Sequence, residues 1–267
     1  MAILPIPSRC IWCKCETDAA TTDVSHVLPE SLGNARQQVL PPGVVCKKCN
    51  SHFGHRVEPV LLRDPILHAI AVFLQIVDPG DQRLFRERLF DTQHPAVGRV
   101  EQHLDMNLRL LGSRLELKVA ATVKGVIAHE YSHRELKLLS RAIHKIAFES
   151  IAWQAYVQES EISKGQIVPD PFSDVFEPVR RWSRLGYPMS QVRAVVRKPA
   201  NSISGDWQVR LWKFPDGLAC EVNLFADWYA VSLTSTPENA EAHLRQWTTG
   251  ASGPKWLLAD SLLPIEL

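Results

Sequence analysis

Cys46-Lys47-Lys48-Cys49-Asn50-Ser51-His52-Phe53-Gly54-His55-Arg56-Val57-Glu58 is the stretch on which the fold turns, and its partner upstream is Cys10-Ile11-Trp12-Cys13. Two Cys-x-x-Cys pairs can close a tetrahedral site of four thiolates, the usual donor set of structural zinc. Of the six cysteines, Cys15 and Cys220 are left over. Cys15 competes with Cys13 as a ligand, but the Cys10-x-x-Cys13 spacing favours Cys13. Four thiolates leave no open position for water, so the zinc is expected to be structural. The 32 residues between Cys13 and Cys46 exceed the usual zinc-ribbon spacer, which predicts an insert between the knuckles. A module of ~60 residues barely supports its own core, so metal binding would supply much of its folding free energy.

The insert carries Ser25-His26-Val27-Leu28-Pro29-Glu30-Ser31-Leu32-Gly33. Together with the second knuckle, Asn50, Gly54 and Glu58, it resembles the zinc-containing branch of the HNH endonucleases over about residues 10–58. The combination of spacing and residue types is specific, whereas each piece alone is weak. The resemblance implies a ββα-metal fold, a two-stranded hairpin packed on one helix with a divalent ion between them. It implies DNA as substrate, His26 as general base and Asn50 as a ligand of a catalytic Mg²⁺ or Mn²⁺. A histidine with an ordinary pKa of about 6.5 can take a proton from water at neutral pH. A divalent ion can polarise the phosphate and neutralise the leaving oxygen.

Asn50, Gly54 and Glu58 fall at i, i+4 and i+8, one stripe of a helix. The glycine leaves room for the hairpin, an ion or a DNA backbone. Glu58 fits a structural role as well as a catalytic one, through a salt bridge or a hydrogen bond to the hairpin. One position departs from the family pattern. An Asp or Glu usually precedes the base histidine, and here it is Ser25, a poorer Mg²⁺ ligand than a carboxylate. Three readings stay open. Ser25 holds the ion through a water, Asp23 substitutes from the same strand face, or the module is catalytically weak or dead. His52 and His55 flank the knuckle as contacts to metal or phosphate, or as plain surface histidines. Lys47, Lys48 and Arg56 are candidate phosphate contacts, or simply solvated.

Composition bounds the rest. The chain has 267 residues, 45% hydrophobic and 22% charged, with a net charge of +1. That describes a folded chain with room for two domains and no global attraction to nucleic acid, so any such surface must be local. The start shows no signal-peptide pattern, and the longest apolar stretch, 65–77, is too short and too interrupted for a membrane span. Paired cysteines without a signal peptide point to metal ligation in a reducing, cytoplasmic setting.

Beyond the knuckles the pattern predicts an α+β domain, giving lobes at 1–63 and 64–267. Expected elements are a short buried helix at 66–77 and strands within 104–128. A long helix follows at about 132–158, with Ser132 and Glu135 as capping box and an apolar stripe of Leu136, Leu139, Ile143, Ile146, Trp153 and Val157. Residues 159–178 read as an irregular linker. An antiparallel sheet is expected from strands at 191–198, 207–214, 218–225 and 228–234, and a last helix at 237–247. The second lobe is expected to sense, target or oligomerise, and to offer a surface to a protein partner or a second copy. Defence of bacteria against foreign DNA suits that arrangement by analogy alone.

Two further features compete for function. His129-Glu130-Tyr131-Ser132-His133 satisfies the zincin pattern His-Glu-x-x-His, with Glu149 or Glu159 as possible third ligand. The capping box places a helix start inside that motif, which would separate its two histidines. Residues 178–198 carry Arg180, Arg181, Arg184, Arg193, Arg197 and Lys198, with Trp182 and Tyr187 interleaved and no acidic residue. Such a run either tracks a DNA backbone or forms a solvated face over a buried Trp. The leading function is DNA phosphodiester hydrolysis. The alternatives are an inactive zinc module that binds nucleic acid or protein, and a zincin protease through His129, Glu130 and His133.

Overall fold

The computed structural model describes residues 5–18, 21–33, 38–64, 67, 106–111, 114–119, 123–128, 132–157, 170–186, 196–199, 207–214, 217–225 and 227–234. Strand β1 (Thr22–His26) pairs antiparallel with β2 (Val39–Cys46), and helix α1 (Lys47–Arg56) follows without a loop. This is the expected hairpin on one helix. Helix α2 (Pro59–Arg63) comes next, with Pro59 in its first turn, where no N–H is needed.

The hairpin is irregular for a reason visible in β2. Asp23 pairs with Val45, but Ser25 pairs with Leu40, so β2 carries the extra residues between them. Pro41 and Pro42 have no N–H to give the ladder. Gly43 sits at φ +101°, where a Cβ would lie 3.2 Å from Ile6 and 3.3 Å from the Pro7 carbonyl. That conformation and that closeness both favour glycine.

Strands β3 (Met106–Leu111), β4 (Arg114–Val119) and β5 (Val123–Ala128) form an antiparallel meander in the order β3-β4-β5. The long helix α3 (His133–Tyr156) starts at the expected capping box. The Ser132 hydroxyl accepts from the Glu135 N–H, and the Glu135 carboxylate accepts from the Ser132 N–H at 2.8 Å. The second sheet is antiparallel in the order β6-β9-β8-β7, from β6 (Val196–Pro199), β7 (Trp207–Phe214), β8 (Gly217–Leu224) and β9 (Asp227–Thr234). The α+β class and the antiparallel sheet are as read from the sequence. The expected helices at 66–77, Leu67 apart, and at 237–247 lie outside the described residues.

Two elements differ from expectation. Residues 177–185, read partly as linker and partly as a basic run, form helix α4 (Glu177–Leu185). Pro178 in its first turn starts that helix, and Gly186 at φ +68° ends it. Helix α3 is also buried all round, with every residue from Ala142 to Ala152 buried. It packs on β2 and α2 on one side and on β8, β9 and α4 elsewhere. A helix enclosed in this way needs no single apolar stripe, and Val157 at the end of the expected stripe is exposed. One contiguous core runs from Cys10 to Leu233 through this helix.

Candidate nuclease site

The four cysteine sulfurs of the two knuckles lie within 4.8 Å of one another. Cys13 Sγ and Cys46 Sγ are 3.7 Å apart, close to the edge of about 3.8 Å that a tetrahedron with Zn–S of about 2.3 Å requires. The Cys46 N–H donates to Cys10 Sγ at 3.3 Å. Lys14, at φ 60°, gives the first knuckle its tight reversal, and its N–H donates to the Cys10 carbonyl at 2.8 Å. The Cys10 thiol is lowered to about 5, first by a hydrogen bond from Cys49 and against the cost of burial. Cys49 is pushed up by the same bond and by burial. Thiols this close cannot all ionise unaided, whereas a dication would let all four do so. The donor set therefore fits zinc. Cys15 is exposed and stands outside the cluster.

Next to the knuckles, Asn50 joins helix to hairpin. Its Nδ2 donates to Asp23 Oδ2 at 3.0 Å and to the Val24 carbonyl at 2.9 Å. Both amide protons are thereby used, and Oδ1 is the atom left to ligate. Asp23 Oδ1 accepts from the Val24 N–H at 2.9 Å. His26 ends β1, opposite Val39, and is half-buried. Gly54 is exposed, and a Cβ there would meet Glu58 Oε2 at 3.8 Å, so this helix face stays open.

Ser25 points elsewhere. The register shifts between Asp23 and Ser25, and the two side chains, expected on one strand face, have different partners, Asn50 and Glu149. Ser25 is fully buried, and its hydroxyl donates to Glu149 at 3.1 Å and 3.3 Å. Glu149 also accepts from Trp12 Nε1 at 2.9 Å and pairs with Lys145 Nζ at 2.9 Å. It is therefore committed to this network rather than to a zincin site. Glu58 does make a salt bridge, but to Lys145 of α3 at 2.8 Å rather than to the hairpin. Burial pulls the Lys145 ammonium down, yet Glu149 and Glu58 together hold it above its ordinary range.

The remaining candidates separate by exposure. Lys47, Lys48 and Arg56 are exposed on α1. His55 is exposed and bonds the Ser51 carbonyl through Nδ1 at 2.7 Å. His52 turns inward, with Nε2 3.4 Å from the Arg141 guanidinium. Burial, then Arg141, lowers its pKa. Arg180 is buried, and its guanidinium bonds Glu177 and the carbonyls of Pro171 and Ser173. Those bonds hold the turn before α4, and the side chain is not presented to a phosphate. Arg181 is exposed but bonded to Glu177, and Arg184 reaches the Trp12 carbonyl at 3.4 Å. His129 and Glu130 lie outside the described residues, while His133 is the first residue of α3.

Lys145 and Trp12 were not singled out as site residues from sequence, and Glu149 only as a possible zincin ligand. The available signal was a Lys-x-x-x-Glu pair set among apolar residues of one helix, between Ile143 and Ile151.

The knuckles, the hairpin and α1 define a zinc-knuckle ββα unit. Residues 10–66 match the family model of the HNH endonucleases. Comparison with curated proteins and with solved structures gives no match. Among the described residues no helix is long and apolar enough to cross a membrane.

Proposed function

We propose that this chain is a metal-dependent endonuclease that hydrolyses DNA phosphodiester bonds, with His26 as general base. Residues 1–63 would be the nuclease module, held by zinc on Cys10, Cys13, Cys46 and Cys49. Residues 64–267 would be an accessory domain. The observation that carries this reading is Asn50 bridging α1 to Asp23 and Val24, on the strand that His26 ends, inside the HNH-matching region.

In this scheme the His26 imidazole accepts a proton from water as the water oxygen bonds to phosphorus and the bond to the leaving sugar oxygen breaks. The departing oxygen gains a proton from solvent, which balances the hydrolysis. Asp23 and the Asn50 Oδ1 are the residues that would hold Mg²⁺ or Mn²⁺, which supplies charge to the phosphate and the leaving oxygen. Lys47, Lys48 and Arg56 would contact backbone phosphates. Such contacts orient DNA without reading its sequence.

One observation favours the runner-up, a zinc module that binds nucleic acid or protein without cutting. Where the family carries an acid, Ser25 is neutral and buried against Glu149. Nicking of supercoiled DNA by purified protein, with EDTA or with added Mg²⁺ or Mn²⁺, separates the two. The nuclease reading expects cleavage only with added metal, since a four-thiolate zinc is coordinatively closed. Retention of DNA without cleavage under every metal would support the binding module.

A further inference from the structure

Lys145 lies in α3, outside the residues that match the HNH family, and is fully buried. Its ammonium reaches the His26 carbonyl at 2.5 Å and the Val27 carbonyl at 3.3 Å. It also reaches Glu58 Oε1 at 2.8 Å and Glu149 Oε2 at 2.9 Å. An ammonium has three protons, so four acceptors commit it completely. A buried ion pair is a costly way to fill space, and apolar side chains of similar volume often serve stability as well. What an apolar side chain cannot do is bind two consecutive main-chain carbonyls.

Those carbonyls mark the place where the hairpin lets go. Register pairing with β2 ends at His26 opposite Val39, and the chain then bends into the 3-10 turn Glu30–Leu32. At this exit the Val27 N–H still donates to the Gln38 carbonyl at 3.0 Å, and the ammonium holds the His26 and Val27 carbonyls. Glu58, the N-cap residue of α2 just past α1, ties the same ammonium to the junction of these two helices. Glu149 ties it to Ser25, the residue before His26, and to Trp12 of the first knuckle. Ser25, His26 and Val27 are thus all gripped by two residues one turn apart on α3.

We propose that Lys145 is a positioning residue for His26. By holding the His26 and Val27 carbonyls it fixes the direction in which the imidazole leaves the end of β1. The site within residues 10–66 is completed by a helix outside them. This rests on the nuclease reading above. Small displacements of a reacting group are expensive, with about 1 Å costing as much as 10²-fold in rate.

The test uses the full chain as Lys145→Met/Glu149→Gln, which removes one buried charge of each sign. Three measurements are made: zinc content, kcat and KM on supercoiled DNA with Mg²⁺, and the ¹⁵N–¹H imidazole signals of His26. The double variant is expected to keep its zinc and a KM within about twofold, while kcat falls about 10- to 100-fold. Its His26 signals should broaden or double, because the ring is no longer held in one orientation. Glu149→Gln alone leaves the ammonium on both carbonyls and should keep one sharp imidazole signal. If the double variant unfolds, Lys145→Gln is read by the same measurements. A folded Lys145 variant with wild-type kcat and one sharp His26 signal overturns the proposal. A wild type that cuts no DNA with any divalent ion defeats the nuclease reading instead, and the imidazole signals still decide whether Lys145 holds His26.

Discussion

The ββα unit is held at two ends by different chemistry. At one end four cysteine sulfurs from two short knuckles lie close enough together to hold a metal ion. At the other, a fully buried ammonium from α3 is shared by two carboxylates and two main-chain carbonyls. The first end comes from two short local motifs and would draw its strength from an ion taken from solution. The second is assembled from residues some 120 positions apart and must be neutralised from within. The contrast teaches that the HNH-matching region is a complete motif without being a complete core.

Breaking the metal end should have the largest effect. Cys46→Ser, or chelation, is expected to strip zinc and melt the ββα unit, because structural zinc in small modules is worth about 10–16 kcal/mol of apparent binding energy. Elemental analysis should find about one zinc per wild-type chain, as one closed four-thiolate site holds one ion. A metal-free wild type with an intact unfolding transition would remove this end of the comparison.

Breaking the other end should cost less. Lys145→Met leaves Glu149 and Glu58 facing one another without their cation, and losing one partner of a buried pair typically costs about 3–5 kcal/mol. Denaturant unfolding at neutral pH measures it. A loss comparable to that of a surface salt bridge, under about 1 kcal/mol, would mean that the network contributes little to the fold.

A third perturbation reaches the middle of α3. Burial pushes His144 down to about 4, opposed only in part by its bond to the Ser140 carbonyl. In the unfolded chain the same group titrates at its ordinary 6.5. Between those values the unfolded state binds the extra proton, so stability falls as pH drops from 6.5 toward 4. The full loss is about 3 kcal/mol. His144→Phe should flatten that part of the stability–pH curve. An unchanged slope would assign the acid sensitivity to other groups.

How much of this was readable in the sequence follows from the same contrast. The thiolate end was readable because Cys-x-x-Cys spacing encodes a knuckle locally, as the Ser132–Glu135 capping box was by its own short pattern. Helix α3 and strands β7 to β9 were legible from periodicity and turn residues. Helix α4 was missed because Pro169, Pro171 and Pro178 suggested a linker, although Pro178 starts a helix rather than breaking one. The partners of Ser25 and Glu58, Glu149 and Lys145, were not legible because they stand on a distant helix. Arg180 read as surface charge for a similar reason, since the carbonyls it binds lie in the turn before its own helix. Spacing reports neighbours along an element, whereas buried charges are explained by what folds over them.

The smallest of these effects concerns where α3 begins. Ser132→Ala removes the hydroxyl that caps the helix, and a lost N-cap typically costs about 1 kcal/mol. Thermal unfolding would show it as a small downward shift with zinc content unchanged. Loss of zinc in this variant would instead tie the His129–His133 region to a metal site.

The most direct measurement is cleavage of supercoiled DNA by His26→Ala beside wild type, both carrying zinc, with Mg²⁺ or Mn²⁺ added. Wild type is predicted to nick, and the variant to retain zinc, fold and DNA binding while losing on the order of 10²–10⁴ in rate, as expected for a missing general base. Equal cleavage by the two proteins would contradict the account and move the active site elsewhere in the chain.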